Sequence, residues 1–240
     1  MFQKKNFKKS VSIILPAYNE EHNISFFLKK LLKYLNNLDY EIIIVNDFST
    51  DKTLKISKLF SKKNKKIKII NNKKNLGFGG SFKEGVKISK KDYIIVLPGD
   101  GETNPKMIFN EFKKLNKPNE ILVFSWKNQK RKFLRKFLSF LYTKIINFSF
   151  NMSFKYVNGP VFYNATELKK LNFKSKSFFF FAEILSQLQL NKKFIYKEVC
   201  IQYLKPRKYR SEALRYELVI SLIKEYLIFM YRFYFKKRKS

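Results

Sequence analysis

The residues of this chain best suited to chemistry lie in DYIIVLPGDGETNP, positions 92 to 105, where an apolar β-branched run enters a Pro/Gly turn carrying Asp100 and Glu102. Two carboxylates at i and i+2, just past the carboxyl end of a strand, can present oxygens to one hard cation and through it to a diphosphate. The same residues also suit an ordinary polar turn, since Gly and Asp are common there. Other chemistries are excluded by count. Cys200 is the only cysteine and His22 the only histidine, so a disulfide framework, a Cys/His zinc site and a Ser-His-Asp arrangement built on a second histidine all fall away. His22 reads as a solvated helix-start residue.

From residue 11 to about 125, short β-branched runs alternate with helical patterns, which predicts a parallel sheet with covering helices. The strands are expected over 11–15, 41–46, 67–71, 93–97 and 121–125, and the helices over 20–35, 51–61, 80–89 and 105–115. Right-handed crossovers bring the strand ends to one rim. The segments PAYNE, NDFSTD, NNKKNLGFGG and PGDGE therefore converge there. All four are rich in turn formers and hydrogen-bonding side chains, as a binding rim requires. Asp51 is expected to cap the helix that follows it. Tyr18 and Asn19 suit either a ligand contact or a strand-end turn and cap. The glycines of the third segment permit close backbone approach.

Composition adds a partner class. With 240 residues and 45% hydrophobic content a real core is expected. The 51 Lys+Arg against 18 Asp+Glu leave +33, beyond what solubility needs, and point to nucleic acid, an anionic membrane surface or phosphorylated substrates. The opening MFQKKNFKKS is basic but leads into the strand VSIIL, so residues 1–10 read as a basic extension rather than a signal peptide. Lys224, Glu225 and Arg232 interrupt the most apolar stretch, and no spanning helix is expected. Two segments instead read as amphipathic helices. Residues 133–150 carry a polar line at Arg135, Ser139, Thr143 and Asn147, while 214–235 carry Glu217, Ser221, Lys224, Glu225 and Arg232 before ending in KKRK. Apolar faces with basic margins suit a membrane interface. Packing on the sheet, on each other or across a homodimer is the alternative.

Taken in order, PAYNEEHNI, IIIVNDFSTDKT, NLGFGGSFKEG and the carboxylate turn resemble family 2 glycosyltransferases of the GT-A fold, and among them dolichyl-phosphate mannosyltransferase and the polyprenyl-phosphate glycosyltransferases. The resemblance covers the first 125 residues well and continues more loosely to about residue 215. It implies an α/β, Rossmann-like nucleotide-sugar fold with a mostly parallel central sheet over 11–212, with helix 133–150 inserted and a basic amphipathic helix over 213–240. Pro16, Ala17, Tyr18, Glu20, Val45, Asp47, Asn75, Gly99, Asp100 and Gly101 would then bind a UDP- or GDP-linked sugar, with Asp47 contacting the base. Asp100 and Glu102 would hold Mg²⁺ or Mn²⁺. Pro98 stands where the family's Asp-x-Asp-x-Gln usually has its first Asp.

Further contacts are implied beyond this core. Lys127, Lys130, Arg131 and Arg135 follow the fifth strand, where the family often contacts a phosphate, and each also suits a solvated helix face. In PRKYRSEAL, Arg207, Arg210 and Ser211 resemble a segment that closes over the diphosphate, with Glu212 at the expected Lys. The segment NGPVFYNATELKKL is similar to a turn, strand and short helix of the family. FFFFAEIL resembles the family's FEAEIL and leaves Glu183 as an acceptor-orienting group, a catalytic base or a structural carboxylate paired with a cation.

The expected activity is an inverting, metal-assisted transfer from a nucleotide diphosphate sugar to an undecaprenyl or dolichyl type of polyprenyl phosphate, by a cytoplasmic protein peripheral on the cytoplasmic membrane face. A phosphate acceptor is already anionic, whereas a sugar hydroxyl needs deprotonation. The alternatives are transfer to a saccharide hydroxyl in cell-surface glycan biosynthesis and a non-catalytic basic protein on a decayed transferase fold. Nucleic acid is not expected as a partner, because charge-only binding would not require four rim motifs.

Overall fold

The computed structural model describes residues 9–100, 103–127, 133–202 and 216–236, without the side chains of 134, 135, 216–218 and 236. Its first half alternates strand and helix: β1 (Ser10–Ala17), α1 (Ile24–Tyr34), β2 (Asp39–Asn46), α2 (Thr53–Lys63), β3 (Ile67–Asn71), α3 (Gly77–Ile88), β4 (Tyr93–Val96), α4 (Pro105–Lys113) and β5 (Glu120–Lys127). The second half carries α5 (Phe133–Phe150), β6 (Val161–Asn164), α6 (Ala165–Lys170), α7 (Phe180–Gln189), β7 (Ile195–Gln202) and α8 (Tyr216–Tyr231), which continues as a π-helical turn over Arg232–Lys236. The seven strands form one sheet in the order β3-β2-β1-β4-β6-β5-β7. All pairings are parallel except those of β6, which runs antiparallel to β4 and β5.

β1 is buried along its whole length, as a central strand covered on both faces should be. Alternate side chains enter opposite layers. Ile13, Leu15, Ile42 and Ile44 pack with Phe27, Leu28, Leu31, Phe109 and Phe112 from α1 and α4. Ile14, Ile43 and Val45 pack with Phe82, Phe150, Phe180 and Phe229 from α3, α5, α7 and α8. Each fully buried Phe or Leu of this kind contributes roughly 1.5–3 kcal/mol by leaving water.

Several element ends differ from the sequence expectation for local reasons. α1 begins at Ile24 rather than 20, because residues 21–23 form a turn in which the Asn23 and Ile24 N–H groups donate to the Glu20 carbonyl. α3 begins at Gly77, three residues early. Glycine is a poor helix former, but the Asp47 carboxylate accepts from the Leu76 and Gly77 N–H groups and caps the first turn. β7 was not anticipated. Its sequence IYKEVCIQ is mostly half-exposed or exposed, the mark of an edge strand, and only its parallel pairing with β5 defines it.

Glu41 is a polar group inside this sheet, only 4% exposed. It accepts from the Ser12 hydroxyl at 2.7 Å, the Lys68 ammonium at 2.7 Å and the Lys90 N–H. Burial pushes its carboxyl up, but these donors together outweigh burial and hold it below the usual range. Glu120 is similar: burial raises it, while Lys197 and the Asn116 and Lys117 N–H groups bring it below normal. A lowered folded pKa gives stability that is complete above the unfolded value of about 4.3 and is lost as pH falls through the folded value. Urea midpoints should therefore drop on acidification below about pH 4.3, and Glu41→Gln should reduce the difference between the midpoints at neutral and acid pH.

Candidate active site

Beyond the last sheet pairs the four sequence segments remain laced to one another. The Asp47 N–H donates to Ala17 O at 2.9 Å, Asn72 N–H to Asn46 O at 2.9 Å, and Gly99 N–H to Pro16 O at 3.4 Å. Side chains add to this: Asn19 N–H reaches Ser49 Oγ at 3.1 Å, Thr50 N–H reaches Asn19 Oδ1 at 2.9 Å, and Glu20 N–H reaches Thr53 Oγ1 at 2.7 Å. Asn19 takes the left-handed conformation (φ 51°), which Asn tolerates better than most residues. Asp51 accepts from Thr53 and Glu21 N–H groups, so it caps the start of α2. Burial raises its carboxyl, but the Thr53 hydroxyl and N–H and the Glu21 N–H bring it below the usual range.

Asp47 is the node of the rim. It is 3% exposed. Its Oδ1 accepts from Leu76 N–H and Asn72 Nδ2, both at 2.8 Å, and its Oδ2 from Gly77 N–H at 2.9 Å. A carboxylate has about four lone-pair positions, so this one is mostly spent on holding residues 72–77. One position on Oδ2 remains beyond these bonds. Asn75 is exposed and supports the same turn, its Oδ1 accepting from Gly77 N–H.

The glycines of this turn serve a contact the sequence did not reveal. Gly77 has φ +75°, and a Cβ there would lie 2.8 Å from Lys176 O; at Gly79 it would lie 2.5 Å from Ser175 O. The room they create is filled by the chain at 174–177, and Gly79 N–H donates to Lys176 O at 2.8 Å. That segment is held from behind by two carboxylates. Glu183 accepts from the Lys174 and Ser175 N–H groups, from the Ser175 hydroxyl and from Arg232 at 2.9 Å. Glu225 accepts from the Lys176 and Ser177 N–H groups and the Ser177 hydroxyl. Glu183 is 0% exposed and its oxygens are occupied. This geometry corrects its catalytic assignment in favour of the structural alternative: it positions the segment under the nucleotide turn. The sequence signal for Glu225 and Arg232 was present, as charges inside an otherwise apolar helix, but it read as the polar positions of an amphipathic helix.

The remaining assigned residues divide by exposure. Tyr18 is 44% exposed. Glu20 is half-buried beside Gly99, its Cγ 3.9 Å from where a Cβ on that glycine would sit, and it accepts from Asn23. Pro16 and Ala17 are buried and act through their carbonyls. Val45 is enclosed in the core, 0% exposed, so its assignment to nucleotide contact is corrected to packing beneath the rim. Lys127 is exposed at the end of β5. Gly101, Glu102, Lys130, Arg131, Arg207, Arg210 and Ser211 lie outside the described residues, as does the side chain of Arg135.

Asp100 is half-buried in the turn after β4. Among the described residues there is no group of three or more His, Cys, Asp or Glu that could enclose a metal. Mg²⁺ is commonly held by one or two carboxylates together with substrate phosphates. An oxygen donor at Asp100, past the end of β4, fits that arrangement.

Residues 12–179 match the model of Glycosyl transferase family 2. The chain belongs to this family. Among its relatives are the dolichyl-phosphate beta-glucosyltransferases of Dictyostelium discoideum, 33% identical over 121 residues (47% of this chain, 35% of that protein), and of Homo sapiens, 32% identical over 130 residues (50% and 39%). The putative glycosyltransferase CsbB of Bacillus subtilis is 32% identical over 140 residues (57% and 42%). The matches thus span between about a third and two fifths of these relatives' length. Among solved structures, glucosyl-3-phosphoglycerate synthase from Mycobacterium tuberculosis in complex with Mn²⁺, uridine diphosphate and phosphoglyceric acid superposes with a TM-score of 0.69 at 13% identity, covering 92% of this chain and 78% of that one. A likeness at that identity shows the GT-A-like fold. In this family 2 glycosyltransferase the pair Glu183–Arg232 ties α7 to the π-helical turn that continues α8.

Breaking a buried pair by removing one partner leaves an uncompensated charge and costs about 3–5 kcal/mol. Arg232→Met and Glu183→Gln should each lower stability in urea unfolding by about 3 kcal/mol, and the double variant by much less than the sum. A catalytic base at Glu183 would instead give Glu183→Gln normal stability and no turnover.

Proposed function

We propose that this glycosyltransferase moves a sugar from a nucleotide diphosphate sugar to a polyprenyl phosphate while seated on the cytoplasmic face of a membrane. The observation that carries this reading is the pair of two-faced helices α5 and α8. Their inner faces meet in the core, where Phe150 packs against Tyr226, Phe229 and Phe233 with ring centroids 5.1–6.3 Å apart. Their outer faces expose Phe133, Phe137, Phe140, Leu141 and Phe148 on α5, and Ile220, Ile223, Leu227, Tyr231 and Phe235 on α8 or just beyond it. Phe148 is 93% exposed and Phe133 83%. So many large apolar side chains in two stripes exceed what a monomer ordinarily shows to water. Lys136, Lys144 and Lys224 lie exposed among them, and the net charge of +33 suits an anionic lipid surface. No helix among the described residues is long and apolar enough to cross a membrane.

The chemistry supports the same acceptor. Attack by a sugar hydroxyl needs a base, and Glu183 has no free oxygen for that task. A phosphate oxygen is already anionic and forms the new bond to the anomeric carbon directly, as the bond to the departing nucleoside diphosphate breaks. A divalent cation held by Asp100 and the diphosphate would neutralise the charge that develops on the leaving group. Asp47 keeps the turn at 75–79 in place beside the nucleoside, and Tyr18 offers a ring at the neighbouring strand end. The dolichyl-phosphate specificity named for two relatives points the same way.

With Mg²⁺ or Mn²⁺, a labelled nucleotide sugar and membranes containing polyprenyl phosphate, label should enter the organic-extractable fraction, and Asp100→Ala should lower the rate by about 100-fold or more. No organic-phase label with any UDP- or GDP-linked sugar would defeat the lipid acceptor. Separately, the double variant Phe137→Asp/Phe148→Asp should cut co-sedimentation with anionic vesicles by about tenfold or more, without changing the urea midpoint.

A further inference from the structure

We propose that Phe48 is a base-stacking residue of the donor site, an aromatic ledge against which the flat face of the nucleobase rests; this deepens the donor-site reading above and rests on it. Phe48 follows Asp47 directly at the carboxyl end of β2 and has φ +64°. A bulky L-residue in the left-handed region is an outlier, because Cβ crowds the backbone there. Glycine adopts it without that penalty.

The backbone on either side accounts for the conformation. Asp47 is fixed by its own N–H to Ala17 O and by the three donors on its carboxylate. Just beyond Phe48, Ser49 Oγ accepts from Asn19 N–H and Thr50 N–H donates to Asn19 Oδ1. The chain between these anchors must pass through the left-handed region. What the anchors leave unexplained is the side chain. The Phe48 ring is 52% exposed, so burial does not offset the strain, and neither local conformation nor folding calls for an aromatic residue. Strain of this kind in a binding rim points to use by a ligand.

The surroundings select the ligand chemistry. Phe48 directly follows Asp47, whose carboxylate is an acceptor suited to a base N–H. Tyr18, the other exposed aromatic at this rim, extends from the adjacent strand end, one residue beyond the sheet pair Ala17 and Asn46. Exposed aromatic residues just past two neighbouring strand ends, with a carboxylate next to one of them, suit a planar heterocycle with a polar edge. Asp100 lies past β4, two strands from β2 in the sheet order. Two strand spacings are about 10 Å, which leaves room for a ribose between the base at Phe48 and a diphosphate at Asp100.

The test compares Phe48→Gly and Phe48→Trp with the unaltered protein for binding of UDP, GDP and inorganic pyrophosphate in the presence of Mn²⁺, alongside thermal unfolding. Phe48→Gly should weaken binding of the preferred nucleoside diphosphate about tenfold, leave pyrophosphate binding unchanged, and hold or raise the thermal midpoint as the backbone strain is relieved. Phe48→Trp should retain nucleotide affinity, and its indole fluorescence should be quenched by the nucleotide beyond any change seen from Trp126 in the unaltered protein. Equal nucleotide affinity in Phe48→Gly would overturn the proposal while leaving the donor site standing. A lowered midpoint in that variant, with affinity unchanged, would overturn it in favour of a packing role. If the unaltered protein binds neither UDP nor GDP, the donor-site reading fails and the ledge with it.

Discussion

A carboxylate withdrawn from water must find donors, and the architecture of this protein follows from how Asp47 finds them. Its partners are the N–H groups that open α3 and the Asn72 amide. Meeting that demand folds residues 72–77 against the end of β2 and starts a helix on glycines that would not otherwise begin one. The glycines then leave a hollow that only main chain can fill. Residues 175–177 fill it, and Glu183 and Glu225 hold them there through backbone N–H and serine hydroxyl bonds. Arg232 completes the chain of contacts from beyond α8. A requirement at the nucleotide rim thus reaches the C-terminal helix through hydrogen bonds between groups removed from solvent.

This linkage changes how the C-terminal helix is understood. As a separate appendage, its function would be membrane attachment alone. In the structure its inner face contributes Phe229, 4% exposed, to the core that also contains Phe82 and Phe180, while Glu225 and Arg232 support the rim from the same side. The outer apolar stripe is therefore carried on an element tied through residues 174–177 to the turn that opens α3. For a reaction whose acceptor headgroup would sit at a lipid surface, such coupling sets the height and tilt of the rim relative to that surface. Of the readings weighed for α5 and α8, core packing describes their inner faces, and interfacial contact is what is proposed for the outer ones.

The rim also shows a division of labour among acidic residues. Asp51 and Glu183 spend their oxygens on backbone donors and a cation within the protein, and Asp47 nearly does so. Asp100 lies half-buried in the turn after β4, where Pro98 stands in place of one family carboxylate.

Local sequence determined a good deal. The parallel first half was legible because β-branched runs and 3.6-residue patterns are short-range signals, and the converging loops followed from crossover handedness. Asp51 was read as a cap because capping acts over two or three residues. Asp100 was legible as a carboxylate just past a strand end. Other roles depended on partners far along the chain. Whether Glu183 was a base or an anchor turned on Arg232, 49 residues away. The glycines at 77 and 79 looked like room for a ligand until residues 175 and 176 occupied it, and Val45 looked like a rim residue until α3 and α7 closed over it. The left-handed turn at Phe48 arises from bonds between two strand ends. Periodicity and capping are written within a few residues and survive in the sequence alone. Burial, saturation of a carboxylate and backbone strain are properties of contacts between distant segments, and only the folded chain decides them.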